Sequence, residues 1–146
     1  MIKFNDTPDD LVRDYLKHRL YILRAIIKDE NCEPEQAIID ILFDRKAYLI
    51  TAENTFIIIE YLIDDLTKEK SLHVRLAGGP KNNTLEIFDK YIPILSELAK
   101  EHNYEFISVV GRKGWIKYLS KFNFEIDPNY VPKTSSLVCL KAKVDN

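Results

Sequence analysis

The chain has 146 residues, enough for about one domain, with 21 Lys and Arg against 23 Asp and Glu, a net charge of −2 at pH 7 with neutral histidines. Hydrophobic residues make up 46% and charged residues 30%, which excludes a disordered chain and fits a globular one. The charge balance disfavours a dedicated nucleic-acid binder, and two cysteines, Cys32 and Cys139, are too few for a disulfide framework or a zinc site.

No apolar run near Met1 has the length of a signal peptide, and none approaches the roughly 18 residues of a membrane span. The expectation is a soluble, cytoplasmic protein with a single domain over 1–146, no membrane contact, no nucleic-acid partner and no bound metal. Thr7-Pro8-Asp9-Asp10 is a helix start: Thr7 can cap, Pro8 suits the first helical position, and Asp10 falls where a capping box places its acid. Two sets then recur at helical spacing, Leu11, Tyr15, Ile22 and Ile26, and Val12, Leu16, Leu20, Leu23 and Ile27. They predict a helix from about Pro8 to Lys28. Pro34 opens a shorter helix to about Phe43, with Ala37, Ile38, Ile41 and Leu42 as its apolar stripe.

Three strands are predicted next. Ala47–Ala52 and Thr55–Ile63 are separated by Glu53-Asn54, short enough for a hairpin turn, and the second is apolar enough to be covered on both faces. Ser71–Leu76 alternates, with Leu72, Val74 and Leu76 to one side and His73 and Arg75 to the other. The loop Ala77-Gly-Gly-Pro-Lys-Asn-Asn83 follows. Asn83 with Glu86 resembles a capping box. A long helix then runs to about His102 on Leu85, Phe88, Ile92, Leu95 and Ala99. Pro93 inside it predicts a kink or a split. Glu105–Val110 reads as a strand, Arg112–Lys121 as a short helix with Trp115 as a core anchor, and Phe124–Ile126 and Ser136–Val144 as strands, with Pro128 and Pro132 in the loop between the last two. Arg112, Lys113, Lys117 and Lys121 make one side of that short helix basic. With a short strand at Ile2–Phe4, the order is (β)ααβββαβαββ, a mixed α/β class with a mostly antiparallel sheet flanked by helices.

This order is similar to that of the GNAT superfamily of N-acetyltransferases over nearly the whole chain. The likeness is sharpest from Leu72 to Glu125. The stretch Val110-Gly-Arg-Lys-Gly-Trp-Ile-Lys-Tyr-Leu-Ser-Lys-Phe-Asn-Phe-Glu125 resembles the segment that many members write with Leu-Tyr-Glu-Lys-Leu-Gly-Phe-Glu at its end. Its Gly-Arg-Lys-Gly-Trp variant looks most like the small GNAT-like proteins of bacteriophages, including one connected with internal virion proteins of short-tailed phages. The resemblance implies acetyl-CoA as cofactor if the protein is active. Coenzyme A brings a pyrophosphate, which needs backbone N–H groups at a helix start.

The family's loop has Gln or Arg, two residues, Gly, one residue, then Gly or Ala. Arg75-Leu-Ala-Gly78-Gly79-Pro80 matches its first two fixed positions and departs at Pro80, which has no N–H. Gly78, Gly79, Lys81 and Asn82 are the candidate cofactor-binding residues. The competing reading is a tight turn in which the glycines supply special backbone angles. The family's tyrosine acid aligns with Leu119, and Tyr118 lies one residue earlier, about 100° away on a helix. Tyr118 is the candidate acid, and His73 and Glu60 are the candidate bases. Cys32 and Cys139 lack a readable histidine partner for nucleophilic work.

Three functions stand open on these grounds. The departures at Pro80 and Leu119 favour a non-catalytic GNAT-fold phage protein with a degenerate acyl-CoA site. It would act in virion assembly or bind a phage or host protein, in the host cytoplasm, as a monomer or homo-oligomer. The retained glycines and Lys81 favour an active acetyl-CoA-dependent N-acetyltransferase. A groove lined by Tyr61, Tyr104 or Tyr118 would favour a small-molecule or peptide binder without chemistry.

Overall fold

A computed structural model describes residues 2–29, 33–80, 84–131 and 136–144. The elements are β1 (Ile2–Phe4), α1 (Pro8–Lys28), α2 (Glu35–Phe43), β2 (Ala47–Ala52), β3 (Thr55–Ile63), β4 (Lys70–Gly78), α3 (Thr84–Glu101), β5 (Phe106–Arg112), α4 (Trp115–Leu119), β6 (Glu125–Ile126) and β7 (Leu137–Lys143), with a 3-10 turn at Ser120–Phe122. The strand order in the sheet is β1-β2-β3-β4-β5-β7-β6. Pairing is antiparallel for β1 with β2, β2 with β3, β5 with β7 and β6 with β7, and parallel for β4 with β5. This is the mixed α/β class predicted above. By its contacts the chain divides into two units, Met1–Glu60 with Arg75–Ile87, and Tyr61–Val74 with Phe88–Asn146.

In the first unit, α1 begins as its sequence dictates. Thr7 Oγ1 accepts from the Asp10 N–H at 3.2 Å, and Arg13 pairs with Asp10. A side-chain hydrogen bond from Thr7 and then the one from Arg13 hold the Asp10 carboxyl below its ordinary range. Leu11, Tyr15, Ile22 and Ile26 are buried with Ile38 and Leu42 of α2, Ala47 and Leu49 of β2, and Phe56 and Ile58 of β3. The second apolar set of α1 behaves otherwise. Val12, Leu16, Leu20 and Ile27 face solvent, and only Leu23 is partly covered. Helical spacing identified two stripes, but a helix lying on a sheet can bury about one face.

Tyr15 Oη donates to Glu35 Oε2 at 2.8 Å, and Arg19 meets both oxygens of Glu35 at 2.8 and 2.9 Å, so α1 and α2 are clamped by one carboxylate. Burial and then this carboxylate push the Tyr15 hydroxyl well above its ordinary pKa. The β2–β3 turn is tied to α1 by the buried His18, whose Nε2 lies 2.9 Å from the Glu53 carbonyl and whose Nδ1 lies 2.8 Å from that of Asp14. Thr55–Ile59 are buried without alternation, as expected of a strand covered on both faces, and the strand emerges from Glu60 onward.

In the second unit, buried residues come from Leu72 and Val74 of β4, Phe88–Ala99 of α3, Ile107 and Val109 of β5, Leu119, Phe124, and Leu140 and Ala142 of β7. The helix α3 runs through Pro93 without a split. Pro93 is exposed, so water can reach the carbonyl that the proline leaves without an N–H donor. The cap expected at Asn83 lies outside the described residues, as do the side chain of Leu85, Cys32 and Pro132.

The predicted helix Arg112–Lys121 is shorter. Arg112 ends β5, and the helix begins at Trp115. The basic residues therefore do not share one helix face, and Lys121 pairs with Asp89 at 2.8 Å. Gly111 lies in β5 beneath Trp115. A Cβ there would lie 2.1 Å from Trp115 Cε3, so the indole rests on the strand backbone, edge-on to Phe88 with ring centroids 5.4 Å apart. Asn123 stands where related segments have glycine, with φ 66° in the left-handed region that asparagine tolerates.

Two substitutions test this packing. Ile22→Ala is expected to cost about 2–5 kcal/mol, while Leu20→Ala, on the solvent side of the same helix, should stay within about 0.5 kcal/mol, both read from urea unfolding. Gly111→Ala is expected to lower stability by about 1–3 kcal/mol through overpacking. An unchanged urea midpoint would contradict the seating of Trp115.

Candidate active site

Alternation along β4 buries Leu72, Val74 and Leu76 and leaves Ser71, His73 and Arg75 on the more polar side. In the first unit Arg75 has only 10% of its side chain exposed and meets three carboxylates. Nη1 lies 2.9 Å from Asp29 Oδ2, Nη2 lies 3.1 Å from Glu33 Oε1, and Nε lies 3.3 Å from Glu60 Oε1. Asp29 is the residue that ends α1, Glu33 precedes α2, and Glu60 belongs to β3. Burial works against the charge of Arg75, but the hydrogen bond to Asp29 and the three negative neighbours outweigh it and raise its pKa. Burial raises the pKa of Glu60, and Glu33 and Asp29 add to that, while Arg75 opposes it.

The arginine that the loop pattern aligns with the family's first fixed position is therefore committed to protein carboxylates. Glu60, a candidate base, is bound to it. His73, the other candidate base, lies in the second unit with Nδ1 2.8 Å from Ser108 Oγ, across the parallel register His73↔Ser108. Tyr118, the candidate acid, also lies in the second unit and is largely exposed, while Leu119 is fully buried. Tyr61 and Tyr104 pack edge-on at 5.0 Å and Tyr61 also meets His102 at 5.1 Å, so these tyrosines form a cluster of their own.

The partners Asp29, Glu33 and Ser108 are absent from the sequence reading. Ser108 was accessible in principle, because two adjacent parallel strands place alternate residues side by side. Asp29 and Glu33 carried no signal beyond two acids between two helices. Among the described residues no group of three or more His, Cys, Asp or Glu side chains is arranged to hold a metal ion, and no helix is long and apolar enough to cross a membrane. Cys139 is buried in β7.

The turn after β4 differs from expectation in its physical cause. The strand continues through Ala77 and Gly78, and no described glycine has a positive φ. The glycines are required for close approach instead. A Cβ on Gly78 would lie 2.8 Å from Phe56 Cε1 and 3.4 Å from the Tyr21 carbonyl, and one on Gly79 would lie 3.0 Å from Thr55 Cγ2. Lys81 and Asn82 lie outside the described residues. The parallel register with β5 includes Ser71↔Phe106, Leu72↔Ile107, His73↔Ser108 and Val74↔Val109.

No protein-family model and no curated protein matches the chain. Solved structures do. An N-acetyltransferase from Staphylococcus aureus is similar over 99% of this chain and 98% of its own, with a TM-score of 0.69 at 14% identity. A GNAT-family acetyltransferase from Listeria monocytogenes is similar over 98% and 94%, with a TM-score of 0.63 at 12% identity. A candidate acetyltransferase from Salmonella typhimurium, solved with its cofactor acetyl-CoA, is similar over 100% and 94%, with a TM-score of 0.65 at 10% identity. The chain has the fold of the GNAT acetyltransferases.

The environment of Glu60 has a measurable consequence. A carboxyl whose folded pKa lies above its ordinary 4.5 binds its proton more tightly in the folded state, so it stabilises the fold below that value and the contribution is lost as pH rises through the folded pKa. The stability of the wild type relative to Glu60→Gln is expected to fall as pH rises from about 4 to about 7. Paired urea titrations across that range check it, and a parallel pH profile for the two proteins would contradict it.

Proposed function

We propose that the protein is an acyl-CoA-dependent N-acyltransferase that uses acetyl-CoA and takes the coenzyme at the turn following β4. The observation that carries this reading is that β4 ends at Gly78 and is followed by Gly79 and Pro80 ahead of the 18-residue helix α3. A pyrophosphate needs N–H donors and the positive end of a helix, and the half-buried Gly78 and Gly79 are the described residues with N–H groups that stand nearest in sequence before α3. In this assignment Gly78 and Gly79 supply amides, and Lys81 and Asn82 supply charge and further donors. Pro80 withholds one donor. The acetyl-CoA bound in the Salmonella structure of the same fold supports the choice of cofactor.

The coenzyme would supply an acyl thioester, and the chain's residues handle protons. Of the two candidate bases Glu60 is engaged by Arg75 and His73 meets Ser108, and His73 is assigned here to the acceptor amine. Tyr118 is the remaining candidate for protonating the departing thiolate.

A second reading rests on a different observation. Arg75 is consumed by Asp29, Glu33 and Glu60, and Leu119 fills the core where the family resemblance expects a tyrosine acid. These support a binding module without chemistry, the role implied by the likeness to phage proteins connected with virion assembly. Isothermal titration with acetyl-CoA, paired with thiol release on a panel of primary amines, separates the two. Saturable binding with amine-dependent thiol release is expected. Binding without release would favour the second reading, and the absence of binding would remove the coenzyme site. Lys81→Glu is expected to weaken binding about tenfold, by placing a negative charge beside the phosphates.

A further inference from the structure

The outer face of α1 carries large apolar side chains that the fold does not use. Leu16 is 64%, Leu20 62% and Ile27 74% exposed, and Val12 and the partly buried Leu23 continue the row. Their spacing of four, four, three and four residues keeps them on one stripe about 22 Å long. Single exposed leucines need no explanation, but a contiguous row does. At its N-terminal half the row borders a groove of about 240 Å³ between α1 and α2, whose apolar walls are Val12, Leu16, Ile39 and Phe43 and whose polar side is the mutually paired Arg19 and Glu35.

Charge selects the occupant. Between Arg13 and Lys28 every exposed charged residue of α1 is basic; Arg13 is paired with Asp10 and Arg19 with Glu35, which leaves Lys17, Arg24 and Lys28 to meet a ligand. The one acid in that span, Asp14, is buried. This stands out on a chain of net charge −2. A second copy laid antiparallel along the same stripe would set one basic edge against the other, like charge to like. An acidic ligand meets no such penalty. The groove beside the stripe suits inserted side chains, which a helix supplies at positions i, i+4 and i+7.

We propose that the outer face of α1 and the α1–α2 groove form a docking surface for an amphipathic helix of another protein, with an apolar stripe and acidic flanks. The surface lies within the first unit and does not depend on acyl transfer.

The probe is a synthetic, fluorescently labelled helical peptide with a leucine stripe and glutamate flanks, compared with a peptide of the same stripe and lysine flanks, both titrated against the full chain. The acidic-flanked peptide is expected to bind saturably and at least about tenfold more tightly than the other, with the preference shrinking as salt rises. Leu16→Gln/Leu20→Gln is expected to abolish the binding, and Lys17→Glu/Arg24→Glu to reverse the peptide preference. All four side chains are exposed, so circular dichroism and the thermal midpoint should stay unchanged and exclude misfolding as the cause. Equal binding of the two peptides, no binding, or binding indifferent to both double variants would overturn the proposal. So would co-sedimentation with phosphatidylserine vesicles but no peptide binding, which assigns the face to a membrane. A dimer that Leu16→Gln/Leu20→Gln dissociates would assign it to a second copy.

Discussion

A guanidinium taken out of water must find negative charge, and Arg75 finds three carboxylates from three separate places in the chain. Asp29 ends α1, Glu33 leads into α2, and Glu60 belongs to β3, so one side chain on β4 ties together segments far apart in sequence. The arrangement is asymmetric in its consequences. Arg75 is neutralised more than once, while the carboxylates together carry a surplus that only partial solvent access relieves. Losing Arg75 would leave three negative charges around a half-buried space, whereas losing one acid would leave the guanidinium still paired. The same pairing removes Arg75 from the set of groups that could address a phosphate, so a structural bond decides a functional question.

Close packing makes the second decision. Gly78, Gly79 and Gly111 look like flexible punctuation in the sequence, yet each is filled against by a neighbour: the Phe56 ring, the Thr55 methyl group and the Trp115 indole. At the turn after β4 this lets the strand continue two residues further than alternation suggests and press against β3 and α1. At β5 it seats Trp115 on the strand and shortens the helix that follows. The glycine requirement at these positions is spatial rather than torsional. A left-handed backbone is adopted elsewhere, at Arg45, Glu53, Lys68, Asn103 and Asn123.

The helix Pro8–Lys28 is legible to the residue because Thr7 caps it and its periodicity is long. The strands Ala47–Ala52 and Thr55–Ile63 are equally legible, because a two-residue turn separates two apolar runs. What the sequence hides is which of two apolar stripes a helix buries. Val12, Leu16 and Leu20 are chemically indistinguishable from Leu11 and Ile22, and only the geometry of α1 against β2 and β3 separates them. Long-range partners are hidden for the same reason. Nothing local to Asp29 or Glu33 announces Arg75, 46 residues away in the first case. The candidate bases were legible as strand residues, but not the groups that hold them, because register between parallel strands is a property of the whole sheet.

The Arg75 cluster and the outer face of α1 belong to the same compact unit and draw on different residues. Arg75, Glu60 and the glycine turn are set by what they pack against, so each is constrained by the fold. Leu16, Leu20 and Ile27 are constrained by nothing within the described chain, and exchanging them for polar residues would leave the core of α1 intact. Apolar side chains held in water at no benefit to the fold are best explained by something outside it. The exposed Lys17, Arg24 and Lys28 beside them give that outside contact a sign. The two regions are therefore separable by substitution.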